Sequence, residues 1–114
     1  MAKAVQALLS EGFDVVGIVG DGTSLLEEAS RLGPDVLIMD IDMPGMTGLD
    51  AVARLTEDGC SAAIVMLTVY EEPELVDDAL KAGARAYVTK GRLRSDLVRA
   101  IRAALQKTTF VSEP

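Results

Sequence analysis

Four polar side chains share one feature, which is that each stands at or just beyond the C-terminal end of a short apolar run. They are Asp40, Asp42, Thr68 and Lys90. A carboxylate can attack phosphorus, while a hydroxyl and an ammonium stabilise the charge on the equatorial oxygens. A divalent metal bridging carboxylate and phosphate would complete such a site, and Mg²⁺ is typically held by one or two carboxylates and water. These residue types therefore favour phosphoryl transfer to Asp40.

Each of these side chains also has an ordinary structural interpretation. An acid after a strand can cap the next loop, Thr68 is a β-branched residue that suits a strand, and Lys90 can be a solvated strand end. The carboxylate could equally be a metal ligand or a base. The shared position favours a functional interpretation, because ligands bind beyond the carboxyl ends of the strands in open α/β sheets.

The strand before Asp40 is the best-defined element of the sequence. Residues 36–39 are apolar without interruption, and they are too few for a free-standing helix. A Gly-Pro pair precedes the run and a Pro-Gly pair follows it closely. This pattern is typical of a strand that is buried on both faces, as in parallel sheets.

The rest of the chain alternates between apolar residues at helical spacing and short apolar or β-branched runs. The predicted helices cover residues 1–12, 25–32, 49–57, 71–83 and 95–107, and the predicted strands cover residues 13–20, 36–39, 62–68 and 86–89. Such alternation with short connections indicates a parallel sheet with helices on both faces. We therefore expect an α/β three-layer sandwich in which residues 1–107 form one domain, followed by a tail or the start of a linker over residues 108–114.

Composition narrows the class of partner. The chain has 114 residues and a formal net charge of −7, which argues against a nucleic-acid or anionic-membrane surface, since both need a basic footprint. The single cysteine allows no internal disulfide, and no apolar stretch approaches the length of a membrane span. We therefore expect a cytoplasmic protein that neither binds nucleic acid through these residues nor enters a membrane.

Three stretches together resemble one known family. They are DIDMPGMTG at residues 40–48, LTVY at residues 67–70 and AGARAYVTK at residues 82–90. The chain resembles a bacterial two-component response-regulator receiver domain, and the resemblance implies a flavodoxin-like fold. The run GIVGDG at residues 17–22 and the Lys90-Gly91 junction are similar to the subfamily that carries a C-terminal LuxR-type helix-turn-helix. The DNA-binding output domain of that subfamily is not expected within these residues.

The resemblance implies a role for each matching residue. Asp40 would accept a phosphoryl group from a histidine kinase, with Lys90 contacting that group, and Asp42 would lend its backbone carbonyl to Mg²⁺. Thr68 would be the switch hydroxyl, and Tyr87 would be the aromatic whose inward or outward position reports the state of Thr68. Without the resemblance, Tyr87 is better interpreted as a half-buried tyrosine on an edge strand.

The sequence departs from the family at its start. The family begins with a strand that ends in two adjacent acids, which hold Mg²⁺, whereas here Met1 falls inside the first predicted helix. We therefore expect weak Mg²⁺ binding through Asp40 and Asp42. Residues 13–19 should pair directly with residues 34–41, or a second subunit should supply a strand in a rearranged or swapped homodimer. Either the biological protein carries the strand upstream of Met1, or this receiver works through contacts alone.

Two other functions stay open at this point. A pseudo-receiver that dimerises or docks without phosphorylation is favoured by the missing acidic pair. A haloacid-dehalogenase-like phosphatase is suggested by the Asp40-Ile41-Asp42 sequence, but Pro44 stands where that family has Thr or Val, and the chain is too short for a cap domain. We do not expect an enzyme.

Overall fold

The computed structural model describes residues 2–9, 12–14 and 21–113. The helices are α1 (Ala2–Leu9), α2 (Gly22–Leu32), α3 (Gly48–Glu57), α4 (Pro73–Ala82) and α5 (Leu93–Leu105), and the strands are β1 (Val36–Met39), β2 (Ala63–Thr68), β3 (Ala86–Thr89) and β4 (Phe110–Val111). A 3₁₀ turn over Lys90–Arg92 joins β3 to α5. The predicted strand at residues 13–20, and with it the expected pairing or exchange of that strand, lies outside the described residues except for Phe13 and Asp14, which are irregular.

The four described strands form one sheet in the order β1-β2-β3-β4. All three pairs are parallel, with Val36 opposite Ala63 and Val65 opposite Ala86. Parallel neighbours place their carboxyl ends at the same edge of the sheet. The predicted parallel α/β architecture is therefore confirmed, and the residues that follow β1, β2 and β3 lie at a common edge.

Side chains of β2 alternate between two apolar layers. Ile64 and Met66 face a core built with α2, α3 and α4, whereas Val65 and Leu67 face a second core built with α1 and α5. Every residue of β2 is buried, which explains why its sequence is apolar without alternation up to the terminal Thr68. The sheet is thus covered on both faces, and its carboxyl edge is left for chemistry.

The C-terminal segment differs from the predicted tail. Lys107 adopts a left-handed φ of 62° and the Thr108 hydroxyl caps the Ala103 carbonyl at 2.9 Å, so the chain turns back after α5. Phe110 and Val111 then pair in parallel with β3 as the strand β4. A strand of two residues is too short to show a period of its own, so the sequence analysis, which expected a tail or the start of a linker here, did not include this strand.

One glycine brings α3 close to the end of β1. The Gly48 amide donates a hydrogen bond to the Ile41 carbonyl at 2.6 Å, and a Cβ at Gly48 would lie 2.7 Å from the Ile41 Cα and still closer to the Asp40 carbonyl oxygen. We expect Gly48→Ala to lower the free energy of unfolding by about 2 kcal/mol or more, because backbone cannot yield as a side chain can. Urea denaturation measures this, with Gly91→Ala as the control, since a Cβ there meets nothing within 4 Å. Equal stability of the two variants would contradict the close approach.

Within the described ranges, no helix has the length and apolar character that crossing a bilayer would require.

Candidate functional site

An ion pair joins the ends of β1 and β3. The Lys90 Nζ lies 2.5 Å from the Asp40 Oδ2, and the two side chains are 24% and 29% exposed. Asp40 directly follows β1 and Lys90 directly follows β3, so two strands separated by β2 deliver opposite charges to one point. Partial burial weakens solvent screening of this pair compared with a fully exposed one. The structure therefore brings a carboxylate and an ammonium together at the carboxyl edge of the sheet.

The second oxygen of Asp40 is held by the following turn. The Asp42 amide donates to the Asp40 Oδ1 at 3.1 Å, which is a local turn closed by an aspartate side chain. Asp42 is itself exposed, while Ile41 between the two acids is buried. Asp40 is consequently oriented by one hydrogen bond on each oxygen, with both oxygens keeping further lone pairs to offer a ligand.

Thr68 ends the strand that lies between Asp40 and Lys90. Its side chain is fully buried, and its Oγ1 accepts a hydrogen bond from the Tyr70 amide at 3.3 Å. The Tyr70 hydroxyl in turn donates to the Asp42 Oδ2 at 2.7 Å. Tyr70 thus links the threonine loop to the aspartate loop. Tyr70 has no predicted role from the sequence, although an aromatic residue two positions after Thr68 is the signal that could have indicated one.

Tyr87 points inward and is fully buried in β3. Its hydroxyl donates to the Tyr70 carbonyl oxygen at 2.8 Å. Because β4 pairs with β3 on the side away from β2, the interpretation of Tyr87 as a half-buried edge residue was wrong. Burial raises the pKa of Tyr87 to about 12, and the negative charges of Glu72 and Asp40 act in the same direction.

The raised pKa of Tyr87 predicts a loss of stability at alkaline pH. The unfolded phenol ionises near pH 10, so the stabilisation is complete below that value and is lost as pH rises through about 12. We expect the Tyr70→Phe variant, in which Tyr87 is the remaining tyrosine, to show a tyrosinate absorbance midpoint of about 12 when folded and about 10 in urea. A folded midpoint near that of the unfolded chain would contradict the burial of the Tyr87 hydroxyl.

Asp40 and Asp42 lie in one turn at the sheet edge, and carboxylate oxygens suit a hard cation such as Mg²⁺. Among the residues that the structure describes, no group of three or more acidic, histidine or cysteine side chains could hold a metal ion. Asp40 is moreover paired with Lys90, and the Asp42 side chain accepts from Tyr70. The described part of this edge therefore offers a cation two carboxylates, each already engaged by another side chain, with no third acid beside them.

A family model and individual protein sequences point to the same family. A family model described as Response regulator receiver domain matches residues 1–102. The nitrate/nitrite response regulator protein NarP of Escherichia coli (strain K12) is 38% identical over 115 residues, covering 99% of this chain and 54% of that protein. The response regulator GacA of Pseudomonas viridiflava is 37% identical over 102 residues, covering 90% of this chain and 48% of that protein. The chain spans about half the length of these curated relatives.

Solved structures share the fold. A LuxR-family two-component response regulator from Aurantimonas sp. SI85-9A1 superposes with a TM-score of 0.89 at 27% identity, covering 95% of this chain and 79% of that one. The isolated REC domain of RcsB from Salmonella enterica serovar Typhimurium, solved with the phosphomimetic BeF3−, has a TM-score of 0.88 at 26% identity, covering 97% of this chain and 84% of that one. The predicted flavodoxin-like receiver fold is confirmed. Because sequence and fold agree over most of its length, the chain belongs to the response regulator receiver domain family of two-component systems.

Proposed function

We propose that Asp40 accepts a phosphoryl group from a histidine kinase and that this modification switches a signalling surface. The proposal is supported chiefly by the ion pair between the Lys90 ammonium and the Asp40 carboxylate at the carboxyl edge of a parallel sheet. Such a pair supplies a nucleophile and a fixed positive charge at the same point, and phosphoryl transfer depends on positioning and charge stabilisation.

The chemistry assigned to the chain is a displacement at phosphorus. A carboxylate oxygen of Asp40 attacks, the bond from phosphorus to the phosphohistidine nitrogen breaks, and that nitrogen leaves with the electron pair. Lys90 stabilises the negative charge on the transferred oxygens, and the Thr68 hydroxyl is the second donor at the next strand tip. The product is an acyl phosphate, which Lys90 can still contact because both groups stay at the sheet edge.

Receiver domains generally bind Mg²⁺ in an acidic pocket. In this chain we assign the cation to the carboxylate of Asp40 and the backbone carbonyl of Asp42, where it would neutralise phosphate charge. With no third acid beside them among the described residues, we expect the affinity for Mg²⁺ to be low.

The switch would run through the contacts of Tyr70. Its amide touches Thr68, its carbonyl accepts from Tyr87, and its hydroxyl is bound to Asp42. Movement of the Thr68 hydroxyl toward a phosphoryl group would remove the acceptor of the Tyr70 amide and disturb the Tyr87 contact. The inward Tyr87 of the structure would then be one of two states whose populations phosphorylation shifts.

For the whole protein we propose regulation of transcription in the cytoplasm through an output domain. Residues 1–107 form the body of the receiver, and residues 108–114, which add β4 to its sheet, lead toward a linker. The relatives named above are described as response regulators, and NarP by its name responds to nitrate and nitrite. A homodimer is the expected assembly. No turnover of substrate is proposed for the receiver.

The second candidate is a pseudo-receiver that acts through contacts without phosphorylation. It is favoured by the shortage of acidic metal ligands in the described ranges. The two functions are separated by measuring the intact mass after incubation with phosphoramidate and Mg²⁺. Gain of one phosphoryl group supports the receiver function, and an unchanged mass with retained partner binding supports the pseudo-receiver.

A further inference from the structure

The start of α5 contains a buried carboxylate that lies outside the phosphorylation site described above. Asp96 is 1% exposed and accepts hydrogen bonds from three side chains. The donors are Arg92 Nε at 3.0 Å, Ser95 Oγ at 2.9 Å and Ser112 Oγ at 2.7 Å. An acid so thoroughly removed from water is costly unless it is paired, so the donors define where the chain around it must lie.

Ser112 connects this carboxylate to β3. The Ser112 side chain is buried, and its hydroxyl donates to the Asp96 Oδ2. The Ser112 Oγ also accepts a hydrogen bond from the Thr89 amide at 3.3 Å. The Ser112 amide also donates to the Tyr87 carbonyl oxygen at 2.9 Å. A single residue after β4 therefore satisfies backbone groups of the strand that carries Tyr87 and ends immediately before Lys90.

Lys90 is bracketed by this network. Thr89 on its N-terminal side is held by Ser112, and Arg92 on its C-terminal side is held by Asp96. Between them the backbone forms the 3₁₀ turn Lys90–Arg92. A lysine has a long, flexible stem, so the position of its ammonium depends on how firmly the Cα at its base is fixed.

We propose that Asp96 and Ser112 are positioning residues that hold the turn from which Lys90 reaches Asp40. For phosphorylation this role rests on the proposed function, whereas the ion pair itself exists in the unmodified chain. Small displacements of a charge-stabilising group have large effects on reaction rate. The hydrogen bond from the Thr89 amide to Ser112, one residue before Lys90, should therefore influence the rate of phosphorylation. The inference also gives β4 a purpose, since it delivers Ser112 to this place.

The alternative is that the network does no more than fasten β4 to the domain. Both interpretations predict a loss of stability when Ser112 is truncated, so stability alone does not separate them. Two measurements separate them: how well the Lys90 ammonium is protected from exchange with water, and whether the effects of Lys90 and Ser112 on the phosphorylation rate are coupled.

The first measurement uses the unmodified chain. In ¹⁵N NMR of the ammonium groups, the Lys90 signal of the wild type should be visible at low temperature because Asp40 shields it from exchange. Ser112→Ala should weaken or abolish that signal. Thr108→Val is the matched control, because it also removes a hydroxyl hydrogen bond from the segment after α5 but touches neither Asp96 nor Thr89. A Lys90 signal that is unchanged in Ser112→Ala overturns the proposal.

The second measurement is the rate of phosphorylation by phosphoramidate with Mg²⁺. Ser112→Ala should lower the rate constant about threefold to tenfold, the equivalent of one net hydrogen bond, and Thr108→Val should leave it unchanged. In a Lys90→Met background, Ser112→Ala should have no further effect, because the two residues act through the same group. Additive effects in this double-mutant cycle overturn the positioning role.

Asp96→Asn provides the second variant, since it keeps the side-chain shape while removing the charge. We expect the same loss of the Lys90 signal, and urea denaturation shows whether the chain remains folded. The two proposals fail in different ways. If the wild type gains no phosphoryl group, the proposed function is contradicted. If the Lys90 signal is nevertheless present in the wild type and lost in Ser112→Ala, the positioning role is supported.

Discussion

Asp40→Asn is expected to abolish the gain of a phosphoryl group from phosphoramidate or a histidine kinase. The amide that replaces the carboxylate is a poor nucleophile, and no other side chain takes its place beside Lys90 in the described part of the chain. The variant also leaves the half-buried ammonium without its partner, so a modest loss of stability should accompany the loss of modification. Intact-mass spectrometry after a fixed incubation measures the first effect, and urea denaturation measures the second.

The matched control is Asp42→Asn, which makes the same chemical change two residues further along. Its backbone carbonyl, to which we assign the metal contact, is retained, so the variant should still be phosphorylated. A phosphoryl group that persists in Asp40→Asn would show that Asp40 is not the acceptor. If the group is at the same time lost in Asp42→Asn, Asp42 is the acceptor.

Lys90→Met should slow phosphorylation by about a hundredfold to a thousandfold, the usual consequence of removing one preorganised donor from developing negative charge. Methionine approximates the length and the apolar stem of lysine, so the change chiefly removes the ammonium that lies 2.5 Å from Asp40. The measurement is the pseudo-first-order rate constant of phosphorylation at saturating Mg²⁺.

Lys81→Met is the control for Lys90→Met, because Lys81 is an exposed lysine in the last turn of α4, away from the carboxyl edge of the sheet. Its rate constant should equal that of the wild type. If both variants react alike, the ion pair at the sheet edge has no part in the transfer and the proposed mechanism is incorrect.

Much of this site could be anticipated because it follows buried parallel strands. Apolar runs bounded by turn residues predicted β1, β2 and β3, and parallel strands necessarily present their next residues at one edge. The meeting of Asp40 with Lys90 was therefore predictable from strand order, even though 50 positions separate them. The outcome for Thr68 is similar, since it lies at the tip of the strand between them.

Other features could not be anticipated because they depend on single contacts between remote segments. Strand β4 contains two residues and follows Lys107, whose backbone has an unusual left-handed φ. A segment this short has no periodicity from which it could be predicted. Asp96 looks like an ordinary acid in the first turn of a helix, where a negative charge is favourable. Only the fold shows that this acid is buried and that Ser112 donates to it.

The hydrogen bond between the two tyrosines has an optical consequence. The chain contains two tyrosines and no tryptophan, so its intrinsic emission comes from Tyr70 and Tyr87 when the exciting light is too long in wavelength for phenylalanine to absorb. Both rings belong to the contact that would rearrange on switching, one hydroxyl facing a carboxylate and the other facing a backbone carbonyl. These 114 residues, without a label, therefore contain their own fluorescent reporter, and its emission intensity and anisotropy should follow the state of the Thr68 loop in real time.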